Sequence, residues 1–520
     1  MKNTYEEAIR TLNGLQSSTA EKRNRELTRG DAQQEEKIVQ MEEIMKRLGV
    51  KMGDVDRLRV IHVSGTKGKG STCAFCESIL HHCGYRTGLF TSPHLVEVRD
   101  RFHVNGRRLT KDQFSMYFWK CYELLEETRD HYNGFMPTYF KFLTGMGLYL
   151  FIQEKVEVAI IEVGIGGAYD CTNVVKHPSV CGVASLGYDH TRILGDTIES
   201  IAWHKAGILK KCVPAFTVNQ EVGGMNILCE RAAEIGAVLS VAPDLSCYPG
   251  PLPDLGLSGK YQETNATLAL QLCNTWIQMN RKRPYNCHHD GMPSSIGTEA
   301  NAITTAPVFD ITKEFRLGLR NCWWPGRSQM ISRPGWTLFV DGAHTVASTK
   351  ACMEWFSQAS TEDEKDRDCS VTRILIFHCT GGRIARPLLK QIQVGGFDIA
   401  IFCPNVARLD DKCFADQTSF KTTYDQEMQT CSNNQLMWNA LSQQSKDTFI
   451  FPCILDAFQW FTEGRDPLVN RLGDHVNLPH LPDCAVESHL QVLVCGSVLL
   501  VGAVFRALGQ ELAPIDRPYV

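Results

Sequence analysis

Two stretches of this chain place phosphate and metal chemistry at the ends of apolar runs. The first is Val60–Thr72, VIHVSGTKGKGST. A β-branched run enters Gly65, Gly68, Lys69, Gly70 and Ser71, and a helical pattern follows. Glycines let backbone N–H groups turn toward an anion, and the N-terminus of the following helix adds its positive end. Lys69 can set a point charge against the β and γ phosphates of a nucleotide. The spacing departs from GxxxxGK[ST], because Gly70 separates Lys69 from Ser71. A glycine turn without a ligand is the competing reading. The second stretch is Val156–Gly167, an apolar run that ends in Glu162 and then in Gly164, Gly166 and Gly167. A carboxylate at the carboxyl end of a parallel strand faces the ligand crevice. Its oxygens suit Mg²⁺, which nucleotide chemistry uses. A turn or helix cap is the alternative for Glu162.

The elements that must carry these groups follow from periodicity. Tyr5, Ala8, Ile9, Leu12 and Leu15 repeat at helical spacing, as do Ile38, Met41, Ile44, Met45 and Leu48 before the stop at Gly49. Short apolar runs then alternate with helical segments. Leu58–Ser64, Thr87–Phe90, Val156–Val163 and Val180–Leu186 read as strands, with a helix over Ser71–His82. This alternation predicts an α/β fold with a parallel sheet and crossover helices. Residues 281–307 are polar and aperiodic and read as an insertion. Trp323–Arg327 breaks the chain, and a second α/β series begins at Thr337–Val340 and continues through Ile374–Phe377, Ile399–Phe402 and Leu493–Cys495. The predicted boundary lies near residues 328–336, dividing the chain into 1–330 and 331–520. Val492–Phe505, the most apolar stretch, reads as strand, turn and helix, too short to span a bilayer. The charge run Glu362–Asp368 reads as a solvated loop.

Composition narrows the class. The chain has 520 residues, 43% hydrophobic and 22% charged, with a net charge of −4. That length calls for two domains. A near-neutral balance with no basic run gives no electrostatic footprint for nucleic acid. The 21 cysteines are an odd number, about 4% of the chain, and read as free thiols in a reducing compartment. Cys73-Ala-Phe-Cys76 is a lone CxxC inside the predicted helix, and Cys287-His288-His289 lies in the polar insertion. The CxxC lacks the second pair a zinc site needs, while Cys287-His288-His289 has metal binding as the alternative to an exposed loop tip. Glu6, Glu7 and Glu21 fit poorly with a mitochondrial presequence, and no secretory signal is visible.

With further segments, the pattern resembles the Mur ligase superfamily, and more closely its folylpolyglutamate synthase branch of eukaryotic type. The segments are Thr91-Ser-Pro-His94 with Arg99 and Arg101, GIGGAYDCTN at Gly164–Asn173, SLGYDHTRILGD at Ser185–Asp196, and KAGILK at Lys205–Lys210. Asn265, Trp324–Arg327 and Asp341-Gly-Ala-His344 continue the series. The resemblance runs from about residue 5 to residue 508. It implies a P-loop-type parallel-sheet ATPase domain followed by a smaller Rossmann-like α/β domain, with ATP and folate between them. It implies an ADP-forming ligase that adds L-glutamate to tetrahydrofolate and its polyglutamates. ATP is then a co-substrate, Mg²⁺ is required, and a monovalent cation such as K⁺ is allowed for.

Residue by residue, the resemblance assigns ATP to Gly68, Lys69, Gly70, Ser71, Asn265, Arg327 and Asp341. Metal falls to Ser92, Glu162 and His190. Lys69, Lys205 and His344 fall to catalysis, with Lys205 at the position that is carbamylated in related ligases. Pro93, His94, Arg99 and Arg101 fall beside the folate. By residue type alone, Ser92 is a turn residue, Asp189-His190 a capped loop, Lys205 a surface lysine and Arg327 a linker charge. Asp341 is divided between a helix cap and a functional role. The segment Thr380-Gly-Gly-Arg383-Ile-Ala-Arg386 lacks the aspartates that relatives carry around the arginine, with Gly382 and Ile384 in their places. That leaves a role in holding glutamate open. Dihydrofolate synthase and a folate-independent P-loop ATPase are the alternatives. The resemblance also implies a cytoplasmic monomer, with a mitochondrial form arising from an upstream start.

Overall fold

The computed structural model describes residues 4–16, 31–132, 134–281, 303–365, 367–380, 383–409, 416, 422–441, 447–470 and 479–512. Most of the 281–307 insertion, with Cys287, His288, His289 and Gly382, lies outside them.

Nine strands form the first sheet: β1 (Ile61–Ser64), β2 (Thr87–Phe90), β3 (Phe102–Val104), β4 (Arg107–Arg108), β5 (Val158–Glu162), β6 (Val180–Val183), β7 (Pro214–Thr217), β8 (Val238–Val241) and β9 (Thr304–Thr305). Their order is β4-β3-β2-β5-β1-β6-β7-β8-β9, parallel except for the β2-β3-β4 edge. The second sheet has β10 (Gln329–Arg333), β11 (Trp336–Val340), β12 (Val371–Phe377), β13 (Ile399–Phe402), β14 (Asp447–Ile450) and β15 (His489–Cys495). It is ordered β10-β11-β15-β12-β13-β14, and only the β10–β11 pair is antiparallel. The α/β class with two successive sheets is as the alternation predicts.

Continuous apolar runs are what a sheet covered on both faces demands. In the second sheet, Leu338, Val340, Ile374, Ile376, Val492 and Val494 join the core under helices Ile454–Thr462 and Val498–Leu512. Phe339, Leu375, Phe377 and Leu493 join the opposite core, with Phe356 and Trp438. Alternate residues thus serve opposite layers. The first sheet does the same. Val158 and Ile160 face the helix Lys69–His82, while Ala159 and Ile161 face the N-terminal helices. Among these, helix Tyr5–Gly14 opens on a capping box from Thr4 and Glu7.

Several expectations need correction. Leu58 caps the helix Met52–Arg57, so β1 starts at Ile61. The charge run at Glu362 is not a solvated loop. It continues the helix Val346–Lys365, and its Asp363 is half-buried, accepting hydrogen bonds from Thr337, Arg367 and Gln491. Cys73 and Cys76 are both buried on the core side of their helix, and the described cysteines are all free thiols. No described helix is long and apolar enough to cross a membrane.

Candidate active site

β2, β5, β1 and β6 are consecutive neighbours, and the site is built on the connections that leave their carboxyl ends. After β1, the Thr66 and Lys67 amides both donate to the Ser185 carbonyl, at 2.8 and 3.0 Å, which ties the phosphate loop to the connection after β6. Gly68 caps the helix Lys69–His82 at φ 82°, a left-handed conformation. A Cβ there would fall 2.0 Å from Asn265 Oδ1. Asn265 is buried, and its amide is held by Gln262 Oε1 at 2.8 Å. Two residues on, a Cβ at Gly70 would lie 3.3 Å from Trp324 Nε1 and 3.5 Å from Glu162 Oε2. The loop therefore stays bare where a ligand must approach.

Glu162, the last residue of β5, is buried against this loop. Its Oε1 is 3.8 Å from Lys69 Nζ, and its Oε2 accepts the Ser92 amide at 3.0 Å. Burial raises its carboxyl above the ordinary range, against the pull of Lys69 and the Ser92 N–H. Beneath the loop, Lys205 Nζ donates to the Gly65 carbonyl at 2.7 Å and is almost fully enclosed. Burial, reinforced by Lys69, drives this amine well below its usual range.

Beside the loop, Asp189 gathers charges from both sheets. Its Oδ2 lies 3.3 Å from Lys67 Nζ and 3.3 Å from His344 Nε2, and its Oδ1 accepts from Arg383 at 3.1 Å. Burial alone would raise the Asp189 carboxyl, but the Lys67 and Arg383 charges hold it well below the carboxylate range. His344 Nδ1 faces the Gly342 carbonyl at 2.8 Å and so carries the proton. Its Nε2 lone pair then accepts from Lys67 Nζ at 3.0 Å. Burial and Lys67 lower His344 to about 4, and burial lowers Lys67 to about 8.

The second sheet contributes through connections that also leave strand carboxyl ends. Asp341, after β11, is buried and accepts from the Ser328 amide, the Ala343 amide and Tyr261 Oη at 2.9, 2.8 and 3.1 Å. Tyr261 opens the helix that carries Asn265, so this carboxylate fastens the two sheets together. Arg327 lies against Gly342, close enough to lower the Glu162 carboxyl.

A cleft of about 360 Å³ adjoins this centre, walled by Pro93, His94, Leu95, Trp323, Trp324, Pro325 and Val498, with Arg99, Arg107, Arg108 and Arg327 around it. The cleft and the phosphate loop share Trp324 as a wall.

The structure thus brings Gly68, Lys69, Gly70, Ser71, Asn265, Glu162, Ser92 and Lys205 together and adds Arg327, Asp341 and His344 from the second sheet. Three expectations change. Ser92 meets Glu162 through its backbone amide rather than its hydroxyl. Arg101 is not among the cleft residues; it is buried behind them, donating to His94 Nδ1 at 3.1 Å. The other ring nitrogen of His94 meets the Asp416 carbonyl at 2.8 Å. His190 is exposed at the start of the short helix Thr191–Leu194, and its neighbour Asp189 is the residue that enters the cluster. Pro93, His94 and Arg99 do line the cleft. Sequence reading missed Lys67, Asp189, Tyr261, Ser328 and Asp416. For the first two, the only signal was adjacency to Gly68 and His190.

Among the described residues, no three His, Cys, Asp or Glu side chains group to hold a metal ion. One buried carboxylate beside a phosphate loop still suits Mg²⁺, which takes one or two protein oxygens and completes its shell with phosphates and water.

No family model matches the chain. The chain is 42% identical over 552 residues to human mitochondrial folylpolyglutamate synthase, covering 98% of this chain and 92% of that protein. It is 35% identical over 540 residues to folylpolyglutamate synthase of Arabidopsis thaliana, covering 97% and 88%. Among solved structures, folylpolyglutamate synthase of Mycobacterium tuberculosis complexed with ADP shares the fold with a TM-score of 0.65, at 20% identity, covering 91% of this chain and 94% of that one. Full-length likeness at this identity, with a phosphate loop and an aromatic cleft side by side, places the chain in the folylpolyglutamate synthase family.

Proposed function

We propose that this protein joins L-glutamate to the γ-carboxylate of tetrahydrofolate and its polyglutamates and converts ATP to ADP and phosphate. The observation that carries this reading is the shared wall: Trp324 borders both the cleft and the loop at Gly70, beside Glu162. A flat ring system in the cleft can thus extend an acid group toward bound phosphates.

In the first step, an oxygen of the substrate carboxylate attacks the γ-phosphorus of ATP, giving an acyl phosphate and ADP. In the second, the amine of glutamate attacks the acyl carbon. The tetrahedral adduct expels phosphate and leaves an amide. Phosphorylation is needed because oxide is a poor leaving group. The protein's part is positioning and charge neutralisation. Loop amides, Lys69 and Arg327 face the phosphates, and Asn265 braces the loop at Gly68.

Glu162 and Ser92 would hold Mg²⁺, with His190 toward a second ion, and the metal would screen charge on the phosphates when bound. Burial pushes Lys205 toward the neutral amine, the form that reacts with carbon dioxide to give a carbamate. His344 Nε2 is the candidate base for the incoming ammonium group, and Lys67 must yield its place there first. We read the two sheets as two domains, 1–330 and 331–520, closing over the cleft to exclude water from the acyl phosphate. We further propose a cytoplasmic monomer, with a mitochondrial form from an upstream start; the mitochondrial label of the human relative supports the latter.

The test is glutamate incorporation by purified protein with Mg-ATP and labelled glutamate, using tetrahydrofolate, dihydropteroate or no acceptor. Label transferred with tetrahydrofolate alone supports the reading. Label with dihydropteroate alone replaces it with dihydrofolate synthase, and ATP hydrolysis without label in any arm overturns it.

A further inference from the structure

The cleft has a direction, and the two strands at its edge define it. Thr91, at its inner end, follows β2 and precedes the Ser92 amide that meets Glu162. β3 runs antiparallel to β2, pairing Phe102 with Phe90 and Val104 with Gly88. The Asn105 amide then reaches the Thr87 carbonyl, and Gly106 and Arg107 lie beyond it. Moving from Thr91 to Arg107 therefore descends the length of β2, about 13 Å at the rise of an extended chain. The cleft touches both ends.

Its arginines are not equivalent. Arg99 is neutralised by Glu97 at 2.6 Å and also donates to the Leu109 carbonyl. Arg108 pairs with Asp100 at 2.9 Å. Arg107 has no acidic partner among the described residues, and it is exposed. Asn105 and Gly106 both have positive φ, 51° and 76°, which makes the tight hairpin turn that presents this side chain. An unpaired guanidinium at the outer end of an aromatic cleft invites a carboxylate that has left the cleft.

Resting on the reading above, we propose that Arg107 is a chain-length specificity residue, which takes the free α-carboxylates of polyglutamylated substrates at the outer mouth of the cleft. Each γ-linked glutamate keeps one α-carboxylate and lengthens the tether between the ring system and the reacting end. The reacting end stays at Lys69 and Glu162. A longer tether must therefore push ring and inner glutamates outward, toward Arg107. A monoglutamate makes the smallest use of that contact.

The experiment measures kcat and KM for tetrahydrofolate mono-, tri- and pentaglutamate with wild type, Arg107→Gln and Arg107→Lys. Arg107→Gln is expected to raise KM for the pentaglutamate at least about threefold more than for the monoglutamate, the scale of one exposed ion pair. Added salt should shrink the gap, and Arg107→Lys should restore part of it. Equal KM changes at every length in an active variant would overturn the proposal, as would an unchanged product-length distribution. Absence of ligation by the wild type with every folate would instead overturn the functional reading beneath it.

Discussion

Asp189→Asn is the most informative single change in this site. The substitution keeps the size and removes the charge that Lys67 and Arg383 share. A hydrogen bond to an ionised group contributes roughly 1.5–3 kcal/mol and a neutral one roughly 0.5–1.5, so each contact weakens by about 1 kcal/mol. The two meet on one carboxylate and do not add in full, which leaves about 1.5 kcal/mol, or about tenfold, against the cluster through which Arg383 joins the second sheet to the first. The loss falls on closure rather than on phosphate binding, because Lys69 and Glu162 are untouched. An acyl phosphate formed in a loosened cleft meets water. The expected result is uncoupling: phosphate released per glutamate incorporated rises well above one, while the KM for ATP moves little. The assay pairs phosphate release with labelled glutamate and adds urea denaturation. An Asp189→Asn protein with wild-type coupling and stability would refute the assignment of this carboxylate as the clasp between the sheets.

Three other predictions follow from single residues. Lys69→Ala should lower kcat about a hundredfold or more, the scale of losing a preorganised electrostatic donor, with thermal unfolding little changed; normal turnover would remove this lysine from the phosphate site. Gly68→Ala should cost about 1–3 kcal/mol of stability, from a left-handed backbone and the collision with Asn265, and should abolish ATP binding; an ATP affinity equal to wild type would show that the loop tolerates a side chain. Lys67 holds fewer protons folded than unfolded between about pH 8 and its ordinary value, so its burial costs stability below pH 8 and that cost fades as pH rises through this window. Denaturation of wild type against Lys67→Met across that range should show the difference narrowing with pH, and parallel curves would argue against the buried ammonium.

The parts legible in the sequence were those where local pattern and physics coincide. β1, β2, β5, β11 and β13 are covered on both faces, and their apolar runs announced them. The phosphate loop was legible because glycines, lysine and hydroxyls stand in order after a strand. β4 and β9, two residues each, carry no periodicity, and β7 begins with a proline. Asp189 was hidden for a different reason. Its partners are 122, 155 and 194 residues away, and no local signal marks a charge that distant elements will converge upon. Ser92 shows a subtler limit, since the residue was right and the atom was its amide.

Asp416 has a bearing on how the chain matures. Its carboxylate accepts Tyr5 Oη at 2.5 Å and the Val98 amide at 2.7 Å, while its carbonyl meets His94. Burial raises this carboxyl to about 6. The helix at Tyr5, 411 residues away in sequence, therefore lacks one of its anchors until residue 416 has left the ribosome. The turn bearing His94 waits for the same residue. Contacts this non-local close late and slow the final step of folding. Early in synthesis the N-terminal half can build its sheet, but the cleft wall at His94 cannot be fixed. A nascent protein halted before residue 416 is thus expected to offer a phosphate loop with no finished place for the second substrate.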